Sequence, residues 1–282
     1  MSELRNILVL DSASAFRSVL GSAAPANWSV EHATGQADAL ARLRRTAYNL
    51  VLTGLETSGE EDVKFLRQLR RVRPHVKLIV LTADSTPAAV LESIRGHAFS
   101  YFSGPFSADA VRDMIQRALD EPAWDDGIEV LSASPDWVSL RLKCRNLTAE
   151  RLLQFMKELE ADLPLKERED IGAAFREMLL NAIEHGGKFD PEQNVDICYI
   201  RTKRMILYQV RDPGEGFSMD SLPQAAISNP EDSPVKHALY RAEHGIRPGG
   251  FGILLTRGLV DEMIYNQKGN EVVLIKYLDQ NG

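Results

Sequence analysis

Short apolar strands alternate with amphipathic helices through residues 1–120, and few folds accept that order. The apolar runs at 7–10 and 50–52 are too short for helices and lack polar alternation, as in strands buried on both faces. Alternation with short connections predicts an α/β domain with a doubly wound parallel sheet covered by helices on both faces. We expect strands at 7–10, 50–52, 77–82 and 100–102, and helices at 37–45, 62–71, 88–95 and 108–119.

The order of elements changes after the segment Glu121-Pro122-Ala123-Trp124-Asp125-Asp126-Gly127, where the proline ends a helix. The second half predicts an α+β domain, with a mostly antiparallel sheet and helices on one face. Its expected strands are 128–132, 137–143, 195–201, 205–211, 262–266 and 271–277, and its helices are 148–162, 166–184 and 252–260. We therefore place one domain at 1–121, a linker at 122–129 and a second domain at 130–282.

Composition excludes several classes of protein. The 282 residues are enough for two domains, and 44% hydrophobic with 26% charged residues is typical of folded globular chains. The net charge, 33 − 40 = −7, argues against nucleic-acid binding driven by bulk charge. Two cysteines are too few for a disulfide framework or a zinc cluster. Because no apolar run reaches the roughly 18 residues of a membrane span and no secretory signal is visible, we expect a cytoplasmic protein without membrane partners.

The first domain resembles a response-regulator receiver over essentially all of 1–120, on the strands and strand ends at 7–11, 50–52, 78–83 and 101–106. The resemblance implies a flavodoxin-like fold. It also implies a site in which two acidic residues hold Mg²⁺ and an Asp accepts phosphate. A Thr or Ser and a Lys then contact the phosphoryl group.

Most of that chemistry is missing from this sequence. Asp11 remains but is followed by Ser12, the phosphoacceptor position falls on Gly54, and the Lys position falls on Gly104. Thr82 is retained, yet one hydroxyl cannot organise phosphoryl transfer, and without a carboxylate no acyl phosphate forms. We expect a degenerate receiver used for docking or dimerisation. Asp11 then accepts a hydrogen bond at a helix N-terminus or binds metal.

In the second domain, the segment 176–186 places Glu177 and Asn181 four residues apart on a predicted helix, so they share a face. A carboxylate and an amide oxygen on one edge suit a hard cation and a proton acceptor, although such a pair is also common on solvated helix edges.

Two glycine-containing segments follow. In Asp212-Pro213-Gly214-Glu215-Gly216, a carboxylate comes directly after an apolar strand, where it could accept a hydrogen bond from an amino group such as that of adenine. At 249–262, glycines precede an apolar helix, an arrangement that directs backbone N–H groups at an anion such as phosphate. The second segment has no Gly-Lys-Ser/Thr and is therefore not a Walker A loop.

Together and in this order, the three segments resemble the N, G1 and G2 boxes of the GHKL ATPase superfamily over roughly 130–282. The ending Gly-Leu-Val-Asp-Glu at 258–262, and a two-strand start without a dimerising helix pair, are similar to the anti-sigma factor serine/threonine kinases. The resemblance implies an ATP-binding α+β sandwich of the Bergerat type, with ATP and Mg²⁺ as cofactors.

By position, this resemblance gives each residue a role. Asn181 would coordinate the Mg²⁺ that bridges the ATP phosphates, Glu177 would be the general base, and Asp212 would bind the adenine amino group. The glycines that shape the adenine pocket or hold the phosphates are Gly214, Gly216, Gly250 and Gly252.

Two functions from different classes follow from these observations. The first is a partner-switching, ATP-dependent protein serine/threonine kinase with a receiver-like sensory or docking domain. Its implied partners are an anti-sigma-factor antagonist of the STAS type as substrate, a sigma factor as a further target, and a second copy in a homodimer. The second is a non-catalytic module that binds proteins in a nucleotide-dependent way. Glu177 favours the kinase, because a site that only binds nucleotide has less use for a base.

Overall fold

A computed structural model describes residues 4–10, 25, 27–55, 57–121, 125–216 and 251–278, without the side chains of Phe251 and Leu254. The chain divides into two compact units, one of Met1–Asp126 with Gln154–Glu160 and one of Gly127–Leu153 with Ala161–Gly282. Asp11, Ser12, Gly250 and the polar segment 218–248 lie outside the described residues.

The first unit contains a five-stranded parallel sheet, in the order β2-β1-β3-β4-β5. Its strands are β1 (Arg5–Val9), β2 (Trp28–His32), β3 (Leu50–Leu52), β4 (Lys77–Thr82) and β5 (Ser100–Ser103). Its helices are α1 (Gln36–Arg45), α2 (Gly59–Val72), α3 (Pro87–Arg95) and α4 (Ala108–Asp120). The predicted doubly wound parallel sheet is confirmed.

Local signals account for most of these boundaries. The central strands β3 and β4 are buried at every position, as expected for strands covered on both faces. Helix α2 begins with a capping box, in which the Ser58 hydroxyl accepts the backbone N–H of Glu61 and the Glu61 carboxylate accepts that of Ser58. Helices α3 and α4 begin after Thr86 and Ser107, whose side chains also accept N-terminal N–H groups.

Strand β2 was not predicted. Its sequence, Trp28 to His32, mixes one aromatic residue with polar ones, and among the described residues the strand lies at the edge of the sheet and pairs with β1 alone. An edge strand is exposed on one side and so lacks the continuous apolar run that marks β1, β3 and β4.

Beyond Asp126 the structure has a six-stranded antiparallel sheet, in the order β10-β11-β9-β8-β7-β6. Its strands are β6 (Ile128–Ser134), β7 (Trp137–Lys143), β8 (Asn194–Arg201), β9 (Met205–Arg211), β10 (Glu262–Tyr265) and β11 (Glu271–Tyr277). The helices are α5 (Asn146–Leu159), α6 (Leu165–Asn181) and α7 (Phe251–Leu259). This agrees with the predicted α+β sandwich.

The core of this sheet positions the candidate site. Helix α6 packs against β9, β11 and α7. The ring of Phe175 on α6 stacks on Tyr208 of β9 at 4.1 Å between centroids, and Tyr208 in turn contacts Tyr199 of β8. These buried aromatic contacts fix α6 over the middle of the sheet. No helix in the described part of the chain is long and apolar enough to cross a membrane.

Candidate functional site

Glu177 and Asn181 meet on one face of α6, as predicted. Nδ2 of Asn181 donates to Oε1 of Glu177 at 3.3 Å, and both side chains are partly buried. Directly after Asn181 the helix widens into a π-helical turn, Ala182–Gly186, closed by a hydrogen bond from Gly187 N to Ala182 O at 2.8 Å. Single π turns inside helices occur often at functional sites, because they redirect the chain without ending it.

Glu177 also contacts the first turn of α7. A Cβ built on Gly252, the second residue of α7, would overlap the Glu177 carboxyl group. Glycine at this position therefore lets the start of α7 approach the carboxylate. A helix N-terminus carries N–H groups without partners and a partial positive charge, so this point favours anions.

Asp212 is held at the end of β9. Its backbone N–H donates to Asn270 O at 2.9 Å, which extends the β9–β11 pairing one residue beyond Arg211 and Glu271. Oδ1 of Asp212 accepts the N–H of Gly214 at 2.8 Å. Partial burial raises the pKa of this carboxyl group, and the hydrogen bond from Gly214 opposes that rise.

The end of the π turn brings the chain after α6 against the loop that follows β9. A Cβ on Gly186 would overlap the Asp212 side chain, and one on Gly214 would lie 3.0 Å from Cα of Gly186. Glu177 and Gly186 are nine residues apart, roughly 13 Å at the helical rise of 1.5 Å per residue. A ligand that reached from Gly186 to Glu177 would meet the Asp212 carboxylate near one end and the first turn of α7 near the other.

The turn between β10 and β11 holds the backbone of this site in place, and this role was not predicted from the sequence. Nδ2 of the buried Asn270 donates to the backbone O of Asp212 at 2.9 Å, and Nζ of Lys268 donates to Gly214 O at 2.9 Å. Gly216 has φ of 78°, and any Cβ there would overlap the carbonyl of Lys268. The turn thus determines the path of the loop from Asp212 to Gly216, and the glycine is needed for this close approach.

The residues present fit a magnesium ion held jointly with phosphate. Because Nδ2 of Asn181 donates to Glu177, its Oδ1 remains as the oxygen ligand that Mg²⁺ prefers. The described residues contain no cluster of three or more His, Cys, Asp or Glu side chains that could hold a metal ion without such help. Mg²⁺ commonly binds through one or two protein oxygens together with substrate phosphates.

In the first unit, the carboxyl ends of β3 and β4 carry hydroxyl groups instead of a phosphoacceptor. Gly54 follows Thr53, whose buried hydroxyl donates to a β4 carbonyl at 2.9 Å. The Thr82 hydroxyl donates to Thr57 O at 3.0 Å and to Asp84 O at 2.9 Å. These hydroxyl groups link the two strand ends and their loops by hydrogen bonds, so they stabilise the structure at this edge of the sheet.

Comparisons with known families match both parts of the chain. The family model of the response regulator receiver domain matches residues 7–116, and that of the histidine kinase-like ATPase domain matches residues 143–276. A receiver domain protein (CheY-like) from Methanospirillum hungatei is 22% identical, with a TM-score of 0.35 over 42% of this chain and 95% of that chain.

Curated relatives match separate parts of the chain. The serine-protein kinase RsbW of Oceanobacillus iheyensis is 27% identical over 111 residues, which is 39% of this chain and 65% of the kinase. The transcriptional regulatory protein ZraR of Salmonella typhimurium is 26% identical over 97 residues, 34% of this chain and 22% of the regulator. The chain thus spans under a quarter of the length of ZraR and about two thirds of the length of RsbW. Neither match by itself shows that this chain has the activity of the whole relative.

Proposed function

Because the chain joins a response regulator receiver domain to a histidine kinase-like ATPase domain, we propose that it is an ATP-dependent protein serine/threonine kinase of the partner-switching type. The similarity to a serine-protein kinase supports the type of activity. Glycine at the phosphoacceptor position, Gly54, and at the lysine position, Gly104, supports a receiver domain that acts without being phosphorylated.

One observation carries the proposal. Glu177 lies beside both Asn181 and the first turn of α7, while Asp212 lies beside Gly186, at the end of the π turn that follows. Phosphoryl transfer needs a positioned base, a metal ligand and stabilisation of phosphate charge in one place. The adenine end of ATP would then be held by Asp212, beside Gly186.

The roles of the residues follow from this arrangement. Glu177 would accept the proton of a protein serine or threonine hydroxyl as its oxygen forms a bond to the γ-phosphorus of ATP. The bond from that phosphorus to the β–γ bridging oxygen breaks, and ADP leaves. Asn181 would hold Mg²⁺, which when bound neutralises charge on the phosphates. Asp212 and the first turn of α7 orient the two ends of the nucleotide.

The protein partners in this proposal come from the similarity to anti-sigma factor kinases. An anti-sigma-factor antagonist of the STAS type would be the substrate, and a sigma factor would be a further target of a cytoplasmic regulator. Phosphate on the antagonist adds about two negative charges to an interface, which would break its complex with the kinase. A homodimer is part of this proposal.

Transfer of labelled γ-phosphate from ATP tests the proposal. The full chain would be incubated with Mg-ATP and each purified STAS-domain protein of the same genome, followed by identification of the modified residue by mass spectrometry. Phosphorylation of a serine or threonine by the wild-type protein, lost in Glu177→Gln, supports a kinase. If neither the wild type nor Glu177→Gln transfers phosphate, and both form a complex with a STAS-domain protein equally well, the result would instead support the non-catalytic binding module.

A further inference from the structure

Asp62 is a buried carboxyl group for which the ATPase site has no use. It lies in the first turn of α2 and is fully inaccessible to solvent. Oδ1 lies 2.8 Å from the hydroxyl of Thr57 and shares its single proton with Gly54 O, at 2.7 Å from the same hydroxyl. Oδ2 is buried as well and has no hydrogen-bond partner among the described residues. A buried carboxylate with one oxygen unpaired is costly, whereas a protonated carboxyl group is tolerated far better.

The protons of the neighbouring hydroxyl groups are directed at backbone carbonyls. Thr53 donates to a carbonyl of β4 at 2.9 Å, and the single proton of the Thr82 hydroxyl is shared between the carbonyls of Thr57 and Asp84. Both hydroxyls lie close enough to affect the ionisation of Asp62. The hydroxyl oxygens of Thr53 and Thr82 still have lone pairs. If Oδ2 of Asp62 carries a proton, it can donate that proton to one of these oxygens, whereas an ionised Oδ2 needs a donor.

The charges around Asp62 also favour its protonated form. Burial is the main cause that raises its pKa to about 7, and the negative charge of Glu61 on the same helix raises it further. The titratable group facing it from β5 is Tyr101, whose own pKa is raised to about 12, so it stays neutral. Asp84, after β4, is acidic and also lies near Tyr101. The hydroxyl hydrogen bonds that oppose the rise are weaker than burial.

Asp62 is connected to the two loops at this edge of the sheet. Its partner Thr57 lies in the β3–α2 loop, and the Thr57 carbonyl accepts the hydroxyl of Thr82. Two residues on, the N–H of Gly59 donates to Asp84 O at 3.0 Å. Two hydrogen bonds thus close the segment from Thr57 to Asp62 onto the end of β4, and a third, between Thr57 and Asp62, lies within the segment and connects Asp62 to them.

We propose that Asp62 is a proton-controlled switch in the receiver domain. Protonated, it keeps the β3–α2 loop closed onto the end of β4. Ionised, it requires water or a donor at Oδ2, and the loop opens to provide one. The receiver domain would in this way respond to pH at the edge where other receivers are phosphorylated. The inference concerns the receiver domain alone and holds whether or not the ATPase domain is a kinase.

The direction of the pH effect follows from the raised pKa. The folded state holds the proton more tightly than the unfolded state, in which the pKa is near the ordinary value of 3.8. The contribution of Asp62 to stability is therefore complete below about pH 4, declines as the pH rises, and is lost above about pH 7. Loop opening should increase over the upper part of this range.

Carboxyl-carbon NMR of the full chain, labelled at aspartate Cγ, measures this titration directly. We expect one resonance with a midpoint near pH 7, absent in Asp62→Asn and present in Asp113→Asn, a matched control at an exposed position on α4. Thr57→Val removes a hydrogen bond that stabilises the ionised form, so it should raise the same midpoint. This second variant assigns the resonance even if Asp62→Asn fails to fold.

Hydrogen exchange measured by mass spectrometry tests the conformational part. After correction for intrinsic rates, peptides covering 53–66 should lose protection between about pH 6 and 8 in the wild type and in Asp113→Asn, but not in Asp62→Asn. The proposal is overturned if every aspartate titrates below about pH 5.5, if Thr57→Val moves no resonance, or if the wild type and Asp62→Asn lose protection equally.

Discussion

Nδ2 of Asn181 lies 3.3 Å from Oε1 of Glu177, one helical turn away on α6. The pair lies just before a π-helical turn, and Glu177 lies against the second residue of α7. In the proposed function Glu177 is the base and Asn181 the metal ligand, an arrangement that phosphoryl transfer requires, whereas nucleotide binding alone requires only the ligand. Substitution of Glu177 therefore distinguishes a kinase from a site that only binds nucleotide.

Glu177→Gln should abolish most phosphotransfer while ATP still binds. The amide keeps the size of the side chain and can still pair with Asn181, but it cannot accept a proton at neutral pH. Loss of a general base reduces rates by about 10² to 10⁴-fold. The measurement is the single-turnover rate of labelled phosphate transfer, with Glu184→Gln, an exposed position three residues after Asn181, as the control. A rate within threefold of the wild type would remove Glu177 from the mechanism.

Gly252→Ala should impair activity more than stability. The new Cβ would overlap the Glu177 carboxyl group, which must rotate away and leave its place beside Asn181. The matched control is Gly258→Ala on the same helix, where a Cβ meets nothing within 4 Å. That control should be neutral or more stable by up to about 1 kcal/mol, because alanine favours helices. Thermal unfolding and transfer rates of both variants would be compared, and equal activities would contradict the contact.

Asp212→Asn should weaken ATP binding. The amide oxygen can still accept the N–H of Gly214, but the negative charge that would receive the adenine amino group in the proposed function is gone. Hydrogen bonds to charged groups contribute about 1.5–3 kcal/mol, so the dissociation constant should rise roughly 10- to 150-fold. Titration with a fluorescent ATP analogue measures this, and Glu215→Gln in the same loop, an exposed position, should change it little. A change within twofold for Asp212→Asn would place adenine elsewhere.

Asn270→Ala should loosen the end of the site that holds Asp212. It removes the hydrogen bond to Asp212 O from a buried position and leaves that carbonyl without a side-chain donor. The expected cost is about 1–3 kcal/mol in the free energy of unfolding. We further expect weaker ATP binding. Gln267→Ala, exposed in the same turn, is the control for both measurements. If the two variants behave alike, the turn does not position Asp212.

Patterns local in sequence predicted much of this structure. Helix α2 has its own capping box, and β3 and β4 have uninterrupted apolar runs, so each is specified within a few residues. The Glu177–Asn181 pair was predictable for the same reason, because a spacing of four places residues on one face of any helix.

Features set by distant contacts were not predictable. Asn270 contacts Asp212 across 58 residues of sequence, and nothing near Asn270 indicates that partner. The burial of Asp62 depends on β4 and β5, although its sequence neighbours Glu60 and Glu61 suggest an exposed acidic helix start. The π turn after Asn181 likewise has no signal in its sequence, since Ala182 and Ile183 would equally continue an α-helix.

Calorimetric titration of the full chain with Mg-ATP tests the central claim most directly. The wild-type protein should bind with a micromolar dissociation constant. Asn181→Ala should lose that binding, because the oxygen that joins the metal to α6 is removed while Glu177 and Asp212 stay in place. Absence of binding by the wild type, or equal binding by the variant, would contradict a metal–nucleotide site on this face of α6.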